Sequence, residues 1–190
     1  MGMTINPVQL IEGSRFMGPL FGDLKTWATW LVFVKCTYGL ALDEMELAVF
    51  QKHTGRQAPR EGGYPEAVAI VGVQSGKSRI AAALAAHAAV TGQSGTTALM
   101  VAQDHRGAMR TLLKYAREPF ETITAFEAEV TRSTADTLEL ESGVTLSAYP
   151  CRPESVRGLR ACIAIVDELA FFQTTDGRPV DVEMLRAVRG

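Results

Sequence analysis

Cysteine is scarce and scattered. The three thiols, Cys36, Cys151 and Cys162, form no C-x-x-C pair; this argues against a disulfide framework or a zinc site and fits a reducing compartment. Histidine is equally thin: His53, His87 and His105 stand at no helical spacing that would pair them as ligands. Charge of one sign is missing too, because 19 Lys and Arg against 21 Asp and Glu leave a net −2. Any contact with nucleic acid must then come from a local basic surface or from elements outside this sequence. Long apolar runs are absent. Trp27 to Leu42 comes nearest, but Lys35 interrupts it and it falls short of the ~20 residues a membrane span needs, so it reads as a buried helix. The first fifteen residues carry no apolar core of the secretory kind. Repeats, low-complexity tracts and a Ser/His/Asp triad are not found.

What is present is an ordinary globular composition, 47% hydrophobic and 21% charged over 190 residues, enough for one well-filled core. The run Val71-Gly-Val-Gln-Ser-Gly-Lys-Ser78 follows a short apolar stretch, 67–71, and opens an alanine-rich helical run. Strand, small-residue turn, Gly-Lys-Ser and helix is the layout of a phosphate-binding loop. Successive backbone N–H groups point at an anion there, and the helix N-terminus adds roughly half a positive charge. Lys77 is expected to reach the β/γ-phosphates and the Ser78 hydroxyl to bind Mg²⁺. The full pattern wants glycine four residues before the Gly-Lys pair, where Val71 stands. Far downstream, Ala161-Cys-Ile-Ala-Ile-Val166 runs into Asp167-Glu168. An unbroken apolar run suits a central parallel strand buried on both faces. Asp167 is expected to hold Mg²⁺ at its end and Glu168 to polarise water.

Along the chain, residues 1 to about 20 look like an extended arm. Helices are expected over Asp23–Tyr38 and from Asp43 to Thr54, the second with Met45, Leu47, Val49 and Phe50 on its apolar side. The expected domain organisation is an arm and helices over 1–65 leading into a core over 66–190. Strand 67–71, helix 77–90, strand 97–102 and a helix from Asp104 to Arg117 with Pro119 beyond it then alternate. Gln103 and Asp104 sit on the ligand side of the sheet, where a polar role is open, although capping by Asp104 is simpler. Period-two alternation over 127–149, broken by Glu141-Ser-Gly143, predicts added antiparallel pairing. Strand 161–166 and a helix over 180–188 close the chain. The pattern predicts an α/β fold with a mostly parallel sheet flanked by helices.

Four stretches taken together resemble the N-terminal ATPase domain of phage large terminases, the motors that drive DNA into a prohead. They are Leu42–Phe50 with Thr54-Gly55-Arg56, Val71–Ala82, Val101–Asp104, and Ser155–Leu159 running into Ile165–Phe172. The resemblance implies a RecA/ASCE-like P-loop NTPase fold that uses ATP and Mg²⁺. It implies catalytic roles for Lys77, Glu168 and Arg157, the last as a finger reaching a neighbouring subunit, with Arg160 its rival. Gly72, Gln74, Ser75, Gly76, Lys77, Ser78 and Arg79 would contact the nucleotide, and Ser78 and Asp167 the metal. The implied partners are double-stranded DNA, a portal ring, a small terminase subunit and further copies in a ring, with no membrane, in the cytoplasm of an infected bacterium. The same resemblance puts Arg56 and the segment before it beside the adenine, though a solvated loop is the simpler reading. Val73 departs from the family's arginine in the loop. A further core strand and a metal-dependent nuclease are expected beyond Gly190; Asp176, Asp181 and Glu183 read as caps. Alternatives are another DNA-translocating P-loop ATPase of the helicase type, a nucleotide-binding scaffold with little turnover, and a small-molecule kinase.

Overall fold

A computed structural model of the chain describes residues 5–103, 108–174 and 176–189, the side chains of 108–110 excepted. The chain divides into two compact units, Asn6–Ser75 on the one hand and Gly76–Gly190 with Met1–Ile5 on the other.

The Asn6–Ser75 unit is helical. Helix α1 (Pro7–Glu12) opens with a reciprocal capping box between Asn6 and Gln9, and α2 (Gly18–Phe21) follows; the expected extended arm is therefore helical from Pro7. A 3₁₀ turn at Leu24–Trp27 leads into α3 (Ala28–Thr37). Helix α4 (Glu44–Thr54) begins at a second capping box, Asp43 with Glu46, and ends at Gly55 in the left-handed conformation. Val32, Cys36 and Phe50 form its core with Leu42, Leu47 and Val49 against them. Met45, expected on the apolar side, is exposed: it lies two residues from Leu47, which turns it well off the Leu47–Phe50 face of a 3.6-residue helix. Gly63 must be glycine, since it has φ +82° and a Cβ there would lie 2.4 Å from the Thr37 carbonyl oxygen.

The second unit is built on a five-stranded sheet ordered β2-β3-β4-β1-β5. Its strands are β1 (Thr97–Ala102), β2 (Val130–Ser133), β3 (Thr137–Leu140), β4 (Thr145–Pro150) and β5 (Ala161–Val166). β1 runs parallel to both β4 and β5, while β3 runs antiparallel to β2 and β4. The sheet is thus mixed, not mostly parallel. The alternating segment 127–149 contributes three of its five strands, and its last strand joins the parallel core instead of staying in an appended hairpin.

Helix α5 (Lys77–Thr91) lies against β1, β4 and β5. Its buried alanines, Ala82, Ala83, Ala85, Ala86, Ala88 and Ala89, combine high helix propensity with a small side chain that allows close approach. On one sheet face, Leu99 and Val101 pack with Val156 of α8 (Pro153–Val156) and with Met184 and Ala187 of α9 (Asp181–Arg189). The alternate residues Ala98 and Met100 are buried on the other face.

Three further expectations are revised. Residues 66–72 form no strand, and Val68 and Ile70 are 84% and 97% exposed. A strand needs a partner for its N–H and C=O groups, and among the described residues none pairs with this segment. β5 is a half-buried edge strand, bonded to β1 alone among the described residues; β1 occupies the buried central place. Finally, a π-helical turn at Ala108–Leu113 precedes α6 (Lys114–Thr122), which carries Pro119 inside it, with α7 (Thr124–Glu127) following. The expected cap Asp104, His105 and the start of that helix lie outside the described residues. No helix among the described residues is long and apolar enough to cross a membrane.

Candidate functional site

Because β1 and β5 are parallel, their carboxyl ends share one edge of the sheet. The Asp167 N–H donates to the Val101 carbonyl at 2.9 Å and carries the ladder one residue past β5, so the Asp167 side chain starts from a fixed backbone. Glu168 then adopts φ +55°, ψ +38°, a left-handed conformation that costs a non-glycine residue energy and is met at functional turns.

The N-terminus of α5 supplies the other half. Gly76 is left-handed (φ +83°) and its carbonyl accepts from the Arg79 and Ile80 N–H groups. The Lys77 and Ser78 N–H groups, in the first turn, have no backbone acceptor among the described residues. Lys77 Nζ donates to Glu168 Oε1 at 2.9 Å and lies 3.4 Å from Asp167 Oδ1. Ser78 Oγ approaches Asp167 Oδ2 at 3.4 Å, long for an O–H···O bond. These four side chains border a cavity of about 170 Å³ that Gln103 also lines. A larger hollow of about 450 Å³ lies against Gln103, Phe171, Gln173 and Pro179, but it holds neither the lysine nor the paired carboxylates, so the chemistry belongs to the smaller one. That volume is below the usual range for a whole ligand and suits a polyphosphate group.

The hydrogen bond to Glu168, seconded by the Asp167 charge, raises the Lys77 pKa above its ordinary 10.5, so the lysine stays cationic. The ion pair is partly solvated, with Glu168 half-exposed, and such pairs contribute about 1 kcal/mol or less. A polyphosphate can compete for Lys77. Among the described residues no three His, Cys, Asp or Glu side chains cluster as metal ligands. Mg²⁺ needs no such cage, since it keeps several waters and takes one or two protein oxygens with phosphate oxygens. Ser78 and Asp167 are the donors that fit.

Gly72 is exposed, with nothing near the position of a Cβ. Gln74 has φ +60°, and the Ser75 carbonyl accepts the Trp30 indole N–H at 2.7 Å. Arg79 is ion-paired with Glu118 and lies 4.4 Å over the Tyr115 ring, both on α6. Arg157 caps α8 and is exposed. The chain then reaches Arg160, whose carbonyl accepts the Thr97 N–H at 2.8 Å. Arg160 is therefore at the amino edge of the sheet, and six residues of β5, about 20 Å, separate it from Asp167. Among the described residues, no hydrogen bond or ion pair joins either arginine side chain to Lys77. Sequence reasoning gave Gln103 no partner; its amide bonds the backbone of Gln173, a contact without a residue-type signature.

The fold and the site define an α/β protein with a lysine, a hydroxyl and two carboxylates gathered at the carboxyl edge of parallel strands. The family model for the terminase large subunit, T4likevirus-type, N-terminal, matches residues 68–176, which cover the site and all five strands of the sheet. The chain belongs to this family, the N-terminal domain of terminase large subunits. Membership carries a role in viral DNA packaging, with DNA and packaging-complex components as partners in general, in a family that is generally one of ATPases. Among curated proteins, none matches the chain.

Proposed function

We propose that the chain is the ATPase domain of a viral packaging motor, hydrolysing Mg-ATP to move double-stranded DNA into a prohead. The observation that carries this reading is the meeting of Lys77 and Ser78 with Asp167 and Glu168, from opposite halves of the chain, around a polyphosphate-sized cavity. Lys77 and the amides of the first turn of α5 bind phosphate oxygens, aided by the helix dipole. Ser78 and Asp167 hold Mg²⁺, which when bound neutralises charge on the phosphates. Once Lys77 turns to phosphate, Glu168 is released to orient and deprotonate water. Gly76 opens α5, and Gly72, Gln74 and Ser75 precede it in the sequence as further candidate nucleotide contacts. Arg157, which is exposed, acts in trans on a neighbouring copy in a ring. The portal ring and the small terminase subunit complete the assembly, in the cytoplasm of the infected cell.

Phosphate release measured with and without portal and DNA tests this. Glu168→Gln is expected to bind ATP normally and to lose roughly 10²–10⁴ in kcat. Arg157→Ala is expected to lose about 10³ or more, in the assembled ring alone. A rate independent of chain concentration and of DNA, or one untouched by Glu168→Gln, would contradict the motor reading.

A further inference from the structure

Gln103 follows β1 directly and forms part of the wall of both hollows, the one with Lys77 and Asp167 and the one with Phe171 and Pro179. Its main chain is anchored, because the Cys151 thiol donates to its carbonyl at 3.0 Å. The same thiol lies 3.5 Å from Gln103 Oε1 and 3.7 Å from the Gln173 carbonyl oxygen, beside the bonds that the Gln103 side chain makes. The Gln173 N–H donates to Gln103 Oε1 at 3.2 Å, and Gln103 Nε2 donates to the Gln173 carbonyl at 3.4 Å. Gln173 lies on the segment that leaves Glu168, forms the 3₁₀ turn Leu169–Phe171, and pairs Gln173 with Pro179 in a single antiparallel bridge. Phe172, Val180 and Met184 then fix that segment into the core. One primary amide thus joins the lysine–carboxylate cavity to the segment that follows its own glutamate.

Both bonds are long against the 2.9–3.0 Å usual for N–H···O, and both are exposed to solvent. A phosphate oxygen is a charged acceptor, and hydrogen bonds to charged acceptors are roughly twice as strong as neutral ones. We propose that Gln103 is a positioning residue of the site: its Nε2 exchanges the Gln173 carbonyl for an oxygen of bound polyphosphate and so frees the Gln173 backbone. Only hydrogen bonds are exchanged. The inference rests on reading the cavity as a polyphosphate site. It differs from that reading in what it asks of Gln173, a residue whose side chain takes no part.

Backbone hydrogen exchange at residue 173 in the whole chain, with and without Mg²⁺ and the slowly hydrolysed analogue ATPγS, is the test, with calorimetric titration of the same samples alongside. In the wild type the ligand is expected to speed exchange at 173 roughly tenfold, the loss of about one hydrogen bond. Gln173→Ala keeps the backbone contact and should respond as the wild type does. Gln103→Leu should still bind the ligand yet exchange fast at 173 in both states; Gln103→Glu, which keeps the acceptor and loses the donor, should exchange at an intermediate rate without ligand. Heat of binding with unchanged exchange at 173 in the wild type would overturn the proposal and leave the site reading standing. Slow exchange at 173 in Gln103→Leu would overturn it as well. No heat of binding in the wild type would overturn both.

Discussion

Lys77 is held by two carboxylates that water also reaches, and this sets its behaviour with pH. The hydrogen bond to Glu168, with the Asp167 charge behind it, places its folded pKa above the ordinary 10.5. A raised lysine contributes fully below the unfolded value and loses its contribution only as pH rises through the folded one. Affinity for Mg-ATP measured between about pH 8 and about pH 10 is therefore expected to stay level as far as Lys77 is concerned. A titration step in that interval that disappears in Lys77→Arg would contradict it. Lys77, Ser78, Asp167 and Glu168 were legible because each sits in a short run whose residue types already state the chemistry. Gln103 was legible only as a polar residue on the ligand side. Its partners are main-chain groups far along the sequence, and any residue type at 173 but proline would supply both.

Elements show the same division. The limits of β1 and β5 follow from apolar runs bounded by turn residues, and α4 follows from Asp43. The segment 67–71 is as apolar as either strand, but a strand exists only with a neighbour, and periodicity says nothing of neighbours. The parallel pairing of β4 with β1 was hidden for the same reason: alternation marks a strand without naming the strand beside it. Helix α5 carries the one buried histidine on a described element. Burial pushes the His87 imidazole below its usual 6.5, against the opposing effect of its 2.8 Å contact with the Ile5 carbonyl. The unfolded chain then binds the proton more readily, so stability falls as pH drops below about 6.5. Thermal melts of the chain at about pH 7.5 and about pH 5.5 should show this drop, and His87→Gln should make it smaller. An equal drop in the variant would assign the effect to other groups.

At the scale of the whole molecule, the family match spans the sheet and the paired carboxylates, and the site sits where open α/β sheets place ligands, outside the carboxyl ends of parallel strands. The mixed sheet keeps that edge intact, since its antiparallel strands lie on the side of β1 away from β5. Arg160 lies at the opposite, amino edge, and the proposed role of Arg157 is one exerted on a neighbouring copy. The account stands or falls on whether the cavity binds a nucleotide. The direct measurement is a calorimetric titration of Mg-ATP into the intact chain and into Lys77→Ala. Saturable binding by the wild type, weakened roughly 10- to 100-fold in the variant, is the predicted result. Equal binding by both proteins, or none by either, would contradict it.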